Sequence, residues 1–107
     1  IWWSAEPAIL KGFLDRTLTP RFAYRYVNGK AQGLLAGKTA ALIVTSRVPS
    51  FVYRIFGGPI TRWKRMVLSF VGIRLTKTLM LGRVEHKQDT PAYRAAFLEK
   101  VRAYARG

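Results

Sequence analysis

Trp2-Trp3-Ser4-Ala5-Glu6-Pro7-Ala8-Ile9-Leu10-Lys11-Gly12-Phe13-Leu14-Asp15-Arg16 carries an aromatic pair straight into an amphipathic helical pattern. Successive side chains of a strand face opposite sides, so two adjacent indoles do not enter one core from a strand. At least one of them therefore lies in a loop or on an open face. Pro7 suits a first helical turn, where its missing N–H has no intrahelical partner. Ile9, Leu10, Phe13 and Leu14 recur at helical spacing, which predicts a helix from Pro7 to Leu18 with Lys11, Asp15 and Arg16 towards water. Asp15 follows Lys11 by one turn in the less favourable order, so little stability is expected of that pair. Thr19-Pro20 ends the helix, because the residue before proline avoids the α region.

Working outward, residues 20 to 37 read as a loop. Asn28-Gly29 is a turn signal, and Gly33 and Gly37 break regular structure. Phe22, Tyr24 and Tyr26 alternate within it, either as an extended stretch packing its rings on the body or as a flap around a planar substrate. Lys38 to Thr45 is a nearly unbroken apolar run of strand length, expected to be buried on both faces as in a helix-covered parallel sheet. Ligands of open α/β sheets bind beyond the carboxyl ends of the strands, which makes Thr45 and Ser46 candidate contacts. Ile60, Trp63, Val67, Phe70 and Val71 form the apolar stripe of a further helix. Gly72 stops it, and Arg62, Lys64 and Arg65 are expected on its solvated face. Ile73 to Leu81 alternates as a strand interrupted by Lys77, a residue that protects sheet edges. Thr90-Pro91 opens a closing helix with Tyr93, Phe97, Val101 and Tyr104 on its buried side. Strand, helix and strand make a βαβ crossover.

Composition narrows the chemistry. The 107 residues carry no Cys, one His and five carboxylates, scattered along the chain. That inventory leaves no thiolate nucleophile, Ser-His-Asp set or metal cluster. His86 sits alone in a polar loop and receives no role. No apolar run reaches the roughly 18 residues of a membrane-spanning helix. The absence of cysteine fits a cytoplasmic protein. The net charge is +14, and no acidic residue occurs between Asp15 and Glu85. Such a field attracts nucleic acid, anionic lipid or a phosphorylated cofactor, although a solvated basic surface is its commonest origin.

Trp2-Trp3, Pro7-Ala8-Ile9-Leu10-Lys11-Gly12, Asp15-Arg16 and Phe22-Ala23-Tyr24 stand in the order in which the flavodoxin-like NAD(P)H:quinone oxidoreductases carry such residues. The chain resembles that family, which includes bacterial NAD(P)H-dependent flavin oxidoreductases. The likeness continues more weakly through Gly33-Leu34-Leu35, Gly37-Lys38, Val44-Thr45 and Val71-Gly72-Ile73. It implies an α/β fold, a flavodoxin-like three-layer parallel sheet, of which two clear strands and three helices are visible. Residues 1–107 are then expected to be the C-terminal part of one such domain, with its first strands and phosphate-binding loop upstream.

The resemblance also implies a function. Its members bind FMN or FAD and reduce quinones or similar acceptors by ping-pong hydride transfer from NAD(P)H. Carried over residue by residue, Trp2, Trp3, Thr45 and Ser46 would bind the flavin, together with Tyr53, whose hydroxyl would stabilise charge on the reduced ring. Tyr24 and Tyr26 would shape the substrate pocket. The chain departs from the family pattern in two places. Arg47-Val48 replaces a Gly-Gly of some members, and Gly57-Gly58-Pro59 stands where some have a histidine, so a tyrosine–histidine relay is incomplete. The implied partners are a quinone-like acceptor and a second copy in a homodimer. Peripheral membrane contact is compatible with the charge, and nucleic acid is not an expected partner of a reductase. Two alternatives stay open on charge and aromatic content: a basic module for nucleic acid or anionic membrane, and an ancillary subunit of a membrane transporter. The fragment itself is expected to be inactive.

Overall fold

The β-branched, apolar run Thr39–Thr45 forms strand β3, which lies parallel to strand β4, Arg74–Leu81. This pair is the centre of the computed structural model, which describes all 107 residues. A helical crossover joins the two strands, as the alternation of strand and helix patterns requires. The register runs from Thr39 opposite Arg74 to Thr45 opposite Leu81 and slips once, between Ala40 and Ala41. Thr76 is the extra residue. Its hydroxyl donates to the Ala40 carbonyl at 3.0 Å and lies 3.2 Å from the Tyr104 hydroxyl. This bulge explains why the alternation of Ile73 to Leu81 breaks at Lys77.

Past the bulge, Leu79 and Leu81 share one face of β4 and Thr78 and Met80 the other. The closing helix α5, Pro91–Arg106, packs on β4 with Phe97 near Leu81. Helices α2, Ser50–Phe56, and α3, Pro59–Arg62, lie over Thr78 and Met80. Strand β4 is thus the middle of three layers. Strand β3 is less covered than its composition suggests. Ala40, Leu42 and Val44 are half-buried, while Thr39, Ala41, Ile43 and Thr45 are exposed. Burial on both faces, expected from the apolar run, therefore holds on one face only in this chain.

The helix after α2 runs without a break over residues 59–71, but it is not uniform. Its middle, Trp63–Leu68, is π-helical, between α3 and a last α-helical turn, α4, Ser69–Val71. Trp63, Leu68 and Val71 are buried by this helix, and Gly72 caps it in a left-handed conformation (φ 93°). The apolar stripe marked the helix, but no residue pattern marked the wider turn.

The expected loop over residues 20 to 37 is partly regular. Residues 24–33 form a hairpin, β1 Tyr24–Val27 antiparallel to β2 Lys30–Gly33. Asn28 and Gly29 both have positive φ, 51° and 76°, as a two-residue primed turn demands. Ser50–Phe56 is the additional short helix α2. Helix α1, Ala8–Thr17, starts one residue after Pro7, close to expectation. Its Lys11–Asp15 pair forms at 2.6 Å with both side chains more than half exposed, where such a pair contributes little. The apolar side of α1 is largely open, with Ile9 85% and Phe13 62% exposed.

At the other end, Thr90 caps α5 by accepting the Tyr93 N–H at 3.2 Å, as its sequence signature predicts. Pro91 follows at the first helical position.

Candidate functional site

The carboxyl ends of β3 and β4 open onto a concavity of about 400 Å³ lined by Trp2, Trp3, Thr45, Ser46, Arg47 and Glu85, among others. Its aromatic wall is held by a tight turn. The Trp2 N–H donates to the Ala5 carbonyl at 2.9 Å, and the Ala5 N–H returns to the Trp2 carbonyl at 2.8 Å. That closure places Trp3 and Ser4 at φ 47° and 60°. The left-handed region costs a non-glycine residue on the order of 1–2 kcal/mol. The strain leaves the Trp3 side chain 98% exposed and Trp2 69% exposed. The main-chain nitrogen of Ile1 donates to the Thr45 carbonyl at 2.6 Å, which fastens the aromatic turn to the end of β3.

On the opposite wall, Ser46 is only 4% exposed. Its N–H donates to the Leu81 carbonyl at 2.8 Å, and its carbonyl accepts from Val84 at 3.0 Å. Its hydroxyl oxygen accepts from the Val48 N–H at 3.1 Å, which leaves the hydroxyl proton as a donor. Arg47 and Glu85 face each other at 3.5 Å on the exposed rim. Four of the residues marked in the sequence (Trp2, Trp3, Thr45 and Ser46) thus meet in one place.

The three tyrosines do not join them. Tyr53 lies on α2 and lines a separate groove over Thr78 and Met80, with its ring packed on Gly58. Tyr24 lies on the hairpin, edge-on to Phe70 at 5.1 Å and to Tyr26 at 5.9 Å. It borders a cavity of about 310 Å³ between α1 and the 59–71 helix. Tyr26 is 66% exposed.

That second cavity contains a group the sequence reading left unassigned. The Glu6 side chain is buried and accepts from the Arg62 guanidinium and, at 3.2 Å, from the Trp63 indole N–H. Burial pushes the Glu6 carboxyl up, but hydrogen bonds from its own backbone N–H, Arg62 and Trp63 outweigh it, and the net shift is downward. Arg62, expected on a solvated face, is instead held by this pair. The only signal for it was scarcity: Glu6 is one of two carboxylates in the first 84 residues.

A third ionic cluster, by the closing helix, steadies the loop beside the concavity. Arg94 donates twice to Asp89 at 2.6 Å, and the Glu85 N–H donates to the same carboxylate at 2.7 Å. The Arg94 bonds and the Glu85 N–H hold Asp89 down at about 2.

The comparisons with known proteins agree with this architecture. Residues 1–105 match the Flavodoxin_2 family, described as having a flavodoxin-like fold. An NAD(P)H oxidoreductase of Haemophilus influenzae, named as uncharacterized, is 44% identical over 57 residues, 53% of this chain and 28% of that protein. The FMN-dependent NADH:quinone oxidoreductase of Acidobacterium capsulatum is 30% identical over 101 residues, 89% of this chain and 47% of that protein. The crystal structure of Smu.1420 from Streptococcus mutans superposes with a TM-score of 0.76 at 35% identity, covering 94% of this chain and 53% of that one. The chain therefore spans about half or less of the length of these relatives. With a family match along nearly its whole length and a helix-covered parallel strand pair at its centre, this chain belongs to the flavodoxin-like family of NAD(P)H quinone oxidoreductases.

Proposed function

We propose that this chain forms the ring-binding part of a flavin-dependent NAD(P)H oxidoreductase acting on quinone-like acceptors, with FMN the first candidate and FAD the second. The observation that carries the reading is the exposed Trp2-Trp3 turn, strained and fastened beside Thr45 at the carboxyl end of the parallel strands. Open α/β sheets bind their ligands at that edge. A concavity of about 400 Å³ is within the range of small-molecule sites. A planar, partly apolar ring fits a wall of two indoles facing the hydroxyls of Thr45 and Ser46. The relative from Acidobacterium capsulatum is named as FMN-dependent, which favours FMN.

When bound there, the flavin supplies two-electron exchange between a nicotinamide and the acceptor. The chain supplies position and exclusion of water. Trp2 and Trp3 would cover the ring, Ser46 holds the loop through Val48, and Thr45 lines the same concavity. Tyr53 faces another groove, so the geometry of this chain does not support the ring-stabilising role implied for it. Tyr24 and Tyr26 stand apart from the concavity of their own chain. We assign them to the acceptor side of a neighbouring copy in a homodimer, supported by the open apolar faces of α1 and the hairpin, Ile9, Phe13 and Tyr26.

Quenching of FMN and FAD fluorescence on titration with the chain tests the flavin, and oxidation of NADH and NADPH with a soluble quinone tests the reaction. Saturable quenching is expected. No quenching by either flavin, with the chain or with a version extended by the strands expected upstream, overturns the assignment. Gel filtration across protein concentration tests the dimer, and a monomer throughout rejects it.

A further inference from the structure

The groove that holds Tyr53 has a chemistry of its own. It has a volume of about 560 Å³ and lies between α2, α3 and β4, with Ser50, Tyr53, Thr61 and Thr78 offering hydroxyls and Arg54 a guanidinium. A second depression of about 300 Å³ shares Ile60 and Thr78 with it and adds Lys64 and Lys77. No carboxylate lines either space. The five ion pairs of the chain engage Lys11, Arg47, Arg62, Arg94 and Arg102, so Arg54, Lys64 and Lys77 have no acidic partner. The side-chain hydroxyls of Ser50, Tyr53, Thr61 and Thr78 enter no hydrogen bond within the chain. Ile60 and Met80 give the floor an apolar strip.

An unpaired guanidinium among uncommitted hydroxyl donors, with further unpaired cations in the adjoining depression, is arranged for an anion with several acceptor oxygens. A phosphate monoester has that character, and an attached apolar group would cover Ile60 and Met80. We propose that this groove is a second binding site, separate from the Trp2-Trp3 concavity, for an organic phosphate. Arg54 neutralises the phosphate, the hydroxyls orient it, and Lys64, one helical turn beyond Ile60, extends the positive field from the adjoining depression. Such a phosphate comes either from a free organophosphate or from a phospholipid headgroup. The proposal does not depend on flavin binding.

Isothermal titration of the chain with phenyl phosphate at low salt tests it. Binding with a dissociation constant below about 1 mM is expected. Inorganic phosphate should bind several-fold more weakly, since it leaves Ile60 and Met80 uncovered. The double variant Arg54→Gln/Lys64→Gln should lose about tenfold or more in affinity, while Lys100→Gln/Arg106→Gln on α5, which removes the same charge, should not change it. Amide shifts of Ser50, Tyr53, Thr61 and Thr78 in the unsubstituted chain provide a second reading that needs no variant to fold. Vesicles of phosphatidic acid, whose headgroup is a phosphate monoester, with phosphatidylcholine as control, separate the two sources. Binding of vesicles lost in the groove variant assigns the headgroup, and binding of phenyl phosphate alone assigns the free ester. Equal loss in both double variants, or shifts that avoid the groove, overturns the site.

Discussion

Gly33, the last residue of β2, lies against the backbone of Val71, the last residue of α4. A Cβ built on Gly33 would stand 2.4 Å from the Val71 carbonyl carbon. The approach is fixed by the next hydrogen bond but one, in which the Leu35 N–H donates to the Val71 carbonyl at 2.8 Å. Gly72 completes the joint from the other side, since a Cβ there would meet the Ala36 nitrogen at 2.9 Å. The hairpin that carries Tyr24 and Tyr26 is therefore mounted on the end of the 59–71 helix through two glycines.

Gly33→Ala is expected to destabilise the chain by about 1–3 kcal/mol, the usual cost of forcing an extra methyl group into a packed contact. The obstacle is backbone, so rotation of a side chain gives no relief. Gly72→Ala adds a left-handed backbone at φ 93° to a similar clash and should cost as much or more. Urea unfolding of the two variants checks both. Gly12→Ala is the control, because nothing lies within 4 Å of its missing side chain. Within a helix it should stabilise by roughly 0.5–1 kcal/mol.

Glu6 ties the segment after the tryptophan turn to the long helix through Arg62 and Trp63. Removing it by Glu6→Ala leaves the indole N–H without its partner, at a cost of about 1–3 kcal/mol. Glu6→Gln keeps an acceptor for the indole and should cost less. The folded Glu6 carboxyl titrates below its ordinary value, so its contribution is present above the unfolded pKa and is lost as pH falls through the lower folded one. The difference in stability between the parent and Glu6→Gln should therefore shrink on acidification. A difference that grows towards low pH rejects this account of the pair.

Asp89 gives a sharper case because its folded pKa is about 2, against an ordinary 3.8. The shift is downward. Its stabilising effect is complete above the unfolded value and disappears as pH falls through roughly 4 to 2. Carbon-13 titration of the Asp89 carboxyl should show a midpoint near 2 in the parent. In Arg94→Gln the midpoint should move up towards the ordinary value, since Arg94 supplies the largest part of the shift. An unchanged midpoint would assign the shift to the Glu85 N–H alone.

The parts of this fold legible in the sequence were those set by local pattern. The apolar run of β3, the stripe of the 59–71 helix, Gly72 as its stop and Thr90-Pro91 as the start of α5 all depend on residues within a few positions of one another. The convergence of Trp2, Trp3, Thr45 and Ser46 was legible only because strand ends and aromatic pairs follow a known arrangement in a resembling family. The remaining features were set by distant partners. The bulge at Thr76 depends on Ala40 and Tyr104. Glu6 finds Arg62 and Trp63 fifty-six and fifty-seven residues away. The hairpin was only half legible: Phe22, Tyr24 and Tyr26 alternate and Asn28-Gly29 marks the turn, but the returning strand Lys30–Gly33 is short, exposed and without apolar alternation.

The last prediction separates the two ring-lined spaces. If the concavity beside Thr45 holds the flavin, Trp2→Ala and Trp3→Ala should each weaken FMN binding by about tenfold or more, given roughly 1–3 kcal/mol for stacking a planar base on an aromatic side chain. Both tryptophans are exposed and Trp3 sits in a strained turn, so neither variant should lower the unfolding midpoint. Replacing Trp3 with glycine relieves the left-handed backbone and should even raise it. Tyr53→Phe should leave FMN affinity unchanged, because its ring faces Thr78 and Met80 across the other groove. The opposite pattern, with affinity lost on changing Tyr53 and kept on changing the tryptophans, would move the flavin from the strand ends to α2.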